Sequence, residues 1–117
     1  MASHERLICR AEALAERGDG VRFPLKTAWG DETGFVVRVD GVPRGYVNRC
    51  AHVPVELDWE PGKFFDHSGL YLICATHGAL YSPGTGVCLA GPCRGGRLPP
   101  LEFVERDGEV FLIERDE

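Results

Sequence analysis

Apolar and polar positions along this chain fall into short stretches that break at glycine or proline. Residues 4–17 have a different rhythm. Leu7, Ile8, Ala11, Leu14 and Ala15 recur at helical spacing, Ser3 is placed to cap the start and Gly18 to end it, which predicts one short helix. From there the pattern changes to strands. Residues 22–27 and 33–39 read as strands, the second rich in β-branched and aromatic side chains, and Asp40-Gly41 predicts a hairpin leading into 42–48. Residues 70–74, 80–82 and 87–89 come next, with Pro83-Gly84 and Gly86 marking a turn. Asp107-Gly108 predicts a second hairpin, between 101–106 and 109–113. Many short strands at this spacing predict an all-β antiparallel sandwich or barrel with a short N-terminal helix.

Length changes little in this picture. The 117 residues suit one domain, 1–117, with 1–20 as a helical extension. Hydrophobic content of 44% and charged content of 26% are those of a globular chain. The net charge of −5 argues against nucleic acid and against an anionic membrane surface, and favours a partner with a basic face. The N-terminus lacks the apolar run and small-residue cleavage site of a signal peptide, and no stretch approaches the ~20 apolar residues of a membrane helix. Five cysteines, an odd number, fit a disulfide framework poorly, so the expected compartment is the cytoplasm or another reducing space.

The candidate chemistry lies in two loops, 50–62 and 74–78, each opening on a cysteine just after a strand. Cys50-Ala51-His52 is a C-x-H pair and Cys74-Ala75-Thr76-His77 a C-x-x-H pair, with 21 residues between them. That interval is long enough for a turn and a returning strand, so both loop tips can meet at one end of a sheet. Thiolate and imidazole are suitable ligands for zinc or iron. A structural zinc ion accepts Cys₂His₂ in a closed tetrahedron. A mixed-ligand iron–sulfur cluster instead places two cysteines on one iron and two histidines on the other, so each loop must present both residue types together. The close C-x-H spacing suits the second demand, and both readings remain open on spacing alone.

The segments Cys50-Ala51-His52 and 74–81 (Cys-Ala-Thr-His-Gly-Ala-Leu-Tyr) resemble the two cluster-binding boxes of the Rieske family. Thr85-Gly86, Gly91-Pro92, Leu98 and Leu101 resemble the family's segment after the second box, and the likeness runs from about residue 22 to residue 113. The resemblance implies a [2Fe–2S] cluster held by Cys50 and Cys74 on the buried iron and by His52 and His77 on the outer one. It also implies that Tyr81 donates to a sulfur and that Pro92 covers the cluster. The implied function is a one-electron carrier, taking an electron from a reductase and passing it to a terminal enzyme such as a ring-hydroxylating oxygenase. Alternatives are a small redox subunit of a larger reductase complex and a zinc-stabilised interaction module. The chain is too short for an oxygenase catalytic subunit, and without a nucleotide-binding glycine motif it should not accept hydride itself.

Several positions depart from the family pattern. The interval between the boxes is longer than in small Rieske ferredoxins, and 54–62, with Trp59, accounts for the excess. Trp59 either shapes a partner surface or packs into the core. The cysteines that cross-link the cluster loops of high-potential members have no counterpart beside these boxes. Cys88 and Cys93 are expected as small core or loop residues, and Cys9 as helix packing. His67 reads as a turn residue, His4 as a solvated terminal one, and Trp29, Phe35 and Phe103 as core or strand-face aromatics. Where high-potential members carry a serine two residues after the second-box histidine, this chain has Ala79. A hydroxyl donor there would stabilise the more negative reduced cluster, so its loss lowers the potential. The potential should fall in the lower part of a range spanning about −150 to +300 mV. Protein-film voltammetry checks this, and a value near the top would refute it.

Overall fold

The structure is a computed structural model that describes residues 3–28, 30–51, 53, 55–93 and 95–115. In chain order the strands are β1 (Ser3–Arg10), β2 (Val21–Thr27), β3 (Gly30–Val39), β4 (Val42–Val47) and β5 (Leu72–Ile73). They continue as β6 (Leu80–Tyr81), β7 (Cys88–Ala90), β8 (Pro100–Leu101), β9 (Phe103–Arg106) and β10 (Glu109–Arg115). Among the described residues they form three antiparallel sheets, ordered β1-β10-β9, β2-β3-β4-β8 and β5-β6-β7. The all-β expectation is met.

Strand β3 explains the layering. Successive side chains of a strand point to opposite faces. Phe35, Val37 and Val39 therefore join one core with Tyr46, Leu57, Phe64, Leu72, Cys74 and Tyr81. Val36 points the other way, into a second core with Leu14, Phe23, Val110 and Leu112. Phe35, Val36 and Val37 are all fully buried, so β3 is covered on both faces. In the first core the Phe35 and Phe64 rings stack with centroids 3.9 Å apart. Both predicted hairpins form, and the residues at their tips have the positive φ that a two-residue turn requires: Asp40 at 53° with Gly41 at 80°, and Asp107 at 52° with Gly108 at 75°.

The predicted N-terminal helix does not form. Its first half is β1, paired with β10, and only Ala11–Ala13 make a short 3₁₀ turn. The cause is a bulge in β1 between Leu7 and Cys9, which breaks the strict alternation. Ile8 and Cys9 both pack against the second core while Leu7 is 53% exposed, so neighbouring apolar residues imitate helical spacing. Cys9 thus packs as expected, but from a strand. The segment after β1 is tied down by Arg38 of β3, whose guanidinium donates to the carbonyls of Ala11 and Leu14. Other boundaries shift too: the expected 101–106 strand splits into β8 and β9, and 70–74 shrinks to β5. Trp29 lies outside the described residues. No helix among the described residues is long and apolar enough to cross a membrane.

Arg38 also grips Glu105 of β9 through two bonds, of 2.8 and 3.0 Å, joining the two larger sheets. That hydrogen-bonded guanidinium holds the Glu105 carboxyl below its ordinary value of 4.5. A carboxyl depressed in the folded state contributes stability that is full above the unfolded value and is lost as pH falls through the folded one. Glu105→Gln should therefore lower the urea midpoint at neutral pH and flatten its decline below about pH 4.5. Parallel acid-side curves for both proteins would contradict this role.

Candidate metal centre

Two backbone reversals place the first and second candidate loops. After β4, Asn48 N–H donates to Thr33 O at 2.7 Å, keeping the chain against β3 as the strand ends. Cys50 N–H then donates to Val55 O at 2.8 Å, closing the first loop over itself. The second loop is the tip of the β5–β6 hairpin. Pairing of Leu72 with Tyr81 and Ile73 with Leu80 brings Cys74 opposite Ala79, and Cys74 N–H donates to Ala79 O at 2.9 Å. Gly78, at φ 72°, donates to Cys74 O at 2.8 Å and turns the tip back.

The two cysteines are buried together at the end of the first core, Cys50 at 4% exposure and Cys74 at 0%. Burial pushes the Cys74 thiol above its ordinary value, and the adjoining Cys50 side chain adds to the rise. The backbone N–H groups of Thr76 and His77 point at the same sulfur and pull the other way. Two sulfurs in contact in a dry site cannot both stay thiolate without a cation, whereas a metal supplies one. His77 stands on the exposed tip of the second loop, three residues past buried Cys74. His52 lies outside the described residues, as do Pro54 and Arg94.

Tyr81 links the loops from beneath. Its ring is fully buried, and its hydroxyl accepts from Ala51 N–H at 2.9 Å and lies 3.2 Å from Cys50 Sγ. Either atom can donate between the hydroxyl and a Cys50 thiol, and against a thiolate, which only accepts, the hydroxyl is the donor. Burial and the neighbouring Cys50 sulfur push the phenol well above its ordinary value, so it stays protonated and able to donate.

A third loop lies over both. A Cβ built on Gly91 would come within 3.0 Å of Ala79 Cα, and one on Gly96 within 2.9 Å of Ala51 Cβ, so this loop rests on each of the first two. Pro92 sits exposed in it. The loop is closed by a Cys88–Cys93 disulfide with Cα atoms 5.8 Å apart. The expectation of unpaired core cysteines is corrected here. Both are buried, as expected, but β7 and the turn after it bring them into bridging range, which spacing alone did not require. The loop's backbone reinforces the closure, with Gly96 donating to Cys93 O at 2.8 Å and Cys88 donating to Gly96 O at 2.9 Å.

The excess length between the boxes divides into an outer and an inner part. Trp59 is 83% exposed, so the core-packing reading fails. Its neighbours Leu57 and Asp58 are buried instead. Asp58 bonds Asn48 at 2.8 Å, and Leu57 O accepts from Ala75 N–H of the second loop at 2.9 Å. Sequence reading missed both polar residues. An acid flanked by Leu57 and Trp59, and an amide two residues before Cys50, were the only signals. His67 is an exposed turn residue and His4 an exposed one on β1, away from these loops.

Known proteins share this outline. A family model of the Rieske [2Fe–2S] domain matches residues 4–105. No curated protein matches the chain significantly by sequence. Among solved structures, the Sphingomonas yanoikuyae B1 ferredoxin is similar at a TM-score of 0.74 and 22% identity, covering 97% of this chain and 100% of that one. The ferredoxin of carbazole 1,9a-dioxygenase from Nocardioides aromaticivorans IC177 is similar at 0.73 and 20%, covering 92% and 95%. The terminal oxygenase of carbazole 1,9a-dioxygenase from Novosphingobium sp. KA1 is similar at 0.66 and 27%, over 98% of this chain and 30% of that one.

The Tyr81 hydroxyl gives a direct check on this geometry. Tyr81→Phe leaves the Ala51 N–H without its acceptor, a loss of about 1 kcal/mol. Amide exchange at Ala51 should then accelerate about fivefold. Unchanged exchange would mean that the hydroxyl does not hold the first loop.

Proposed function

Because this chain belongs to the Rieske [2Fe–2S] domain family, we propose that it is a one-electron carrier whose cluster is held by Cys50, His52, Cys74 and His77. The cluster, the cofactor of this family, takes up and gives back a single electron. The observation that carries the ligand reading is the contact of buried Cys50 and Cys74 at the base of two loops, with His77 exposed on the tip of one. Those residues fit the group. The soft sulfur donors lie where water is excluded, backbone N–H groups face one of them, and an imidazole stands toward solvent. By the family resemblance, His52 and His77 would hold the outer iron.

The remaining residues have supporting roles in this reading. Tyr81 directs its proton to Cys50 Sγ, which favours the reduced state by offsetting its extra negative charge. The disulfide-closed loop that carries Pro92 shields the sulfurs from the side of Ala51 and Ala79. The histidine edge is then the shortest way out for the electron. The similar ferredoxin named for carbazole 1,9a-dioxygenase supports an acceptor of the terminal-oxygenase class, and the donor in this reading is a reductase. With a net charge of −5, the chain suits partners with a basic docking face.

Anaerobically purified protein should be red-brown, with two irons and two sulfides per chain. On dithionite reduction it should give the electron paramagnetic resonance of a mixed cysteine–histidine cluster. Cys74→Ser should lose the colour while leaving the β-sheet circular dichroism in place. A colourless protein with stoichiometric zinc would replace this reading with a structural metal site.

A further inference from the structure

We propose that the buried Asn48–Asp58 pair is the positioning element that holds the two metal-binding loops at their working separation. This rests on the proposed role of the boxes at 50–52 and 74–77. A covalent tie is not open to these loops: neither has a second cysteine, and Cys88 and Cys93 bridge each other elsewhere. Non-covalent ties must fix the distance between Cys50 and Cys74, and Tyr81 supplies one of them from the core side.

The pair lies at the junction of both loops. Asn48 stands two residues before Cys50 and is 3% exposed; Asp58 is 6% exposed, with its carboxylate fully buried. Every polar atom of the pair has a defined role. Asn48 Oδ1 accepts from Leu57 N–H at 2.8 Å, and Asn48 Nδ2 donates to Asp58 Oδ1 at 2.8 Å. Asp58 Oδ2 accepts from Gly62 N–H at 2.9 Å, and Arg22 Nε lies 3.4 Å away to balance the charge. Leu57 completes the path, because its carbonyl accepts from Ala75 N–H, immediately after Cys74. One residue is thus gripped from the first box through its N–H and from the second through its carbonyl.

A buried carboxylate is a costly way to anchor a loop if anchoring is all that is needed. An apolar side chain would stabilise the loop as well but would allow it to slide. Hydrogen bonds of fixed direction specify one register, which is what two ligand sets sharing one cluster require. Arg22 strengthens the same register, since its Nη2 also holds Glu56 at 2.7 Å.

The pair can be tested by exchanging its partners. Asp58→Asn gives one of two facing donors, from Asn48 or Gly62, an amide N–H₂ instead of an oxygen. Asn48→Asp sets two carboxylates against each other. The double variant Asn48→Asp with Asp58→Asn restores all three hydrogen bonds: the bond between positions 48 and 58 reverses direction, while Leu57 N–H and Gly62 N–H still donate to an oxygen at each position. Wild type and the three variants would be loaded with iron and sulfide and compared by two readouts. One is amide exchange at Ala75, and the other is the line shape of the reduced-cluster resonance with its midpoint potential. Each single variant should speed Ala75 exchange at least about fivefold and broaden the resonance, and the double variant should return both toward wild type. The proposal fails if the single variants leave both readouts unchanged. It also fails if the double variant recovers the melting midpoint but neither readout, since the pair would then be structural only. Wild-type protein that takes up no iron would refute the carrier reading instead, and Ala75 exchange would still decide the brace.

Discussion

The hydroxyl of Tyr81 meets the first loop at the point where the second loop's hairpin returns to the core. Its ring belongs to the same apolar cluster as Phe35, Phe64 and Leu72, so the hydroxyl's position is set by packing rather than by the loops themselves. From there it reaches both Cys50 Sγ and Ala51 N. Interiors at close-packed density transmit such a position with little slack. The placement of both cysteines therefore depends on how well the first core is filled.

The division of side chains along β3 separates this task from general stability. The face carrying Phe35 and Val37 builds the floor of the candidate metal centre. The face carrying Val36 builds the second core with β10 and the N-terminal segment, on the far side of the sheet. Arg38 links that segment to β9 and, among the described residues, has no bond to the candidate loops. Damage to the second core should thus weaken the fold without reshaping the site, whereas damage to the first does both.

Three loops converge on one end of the first core, and each is held by a different means. The first is braced by buried polar groups, the second by its hairpin register, and the third by a disulfide. Only the third has a covalent closure, and it is the one that carries no proposed ligand. Trp59 projects from the same braced segment into solvent, so the segment's rigidity is passed on to an exposed surface residue.

The sequence by itself determined the all-β class, both Asp-Gly hairpins, the family and the cysteine–histidine pairs. These are short-range signals: alternation with period two, turn residues needing positive φ, and ligand types at close spacing. Tertiary structure decided what depends on distant partners. Residues 4–10 read as helix because a bulge placed Ile8 and Cys9 side by side against the core, and only the free edge of β10 made them a strand. Cys88 and Cys93 became a disulfide because a turn set their Cα atoms 5.8 Å apart. Asn48 and Asp58 are ordinary loop residues until two segments fold over them and remove them from water. Burial belongs to the assembled chain, and no local pattern encodes it.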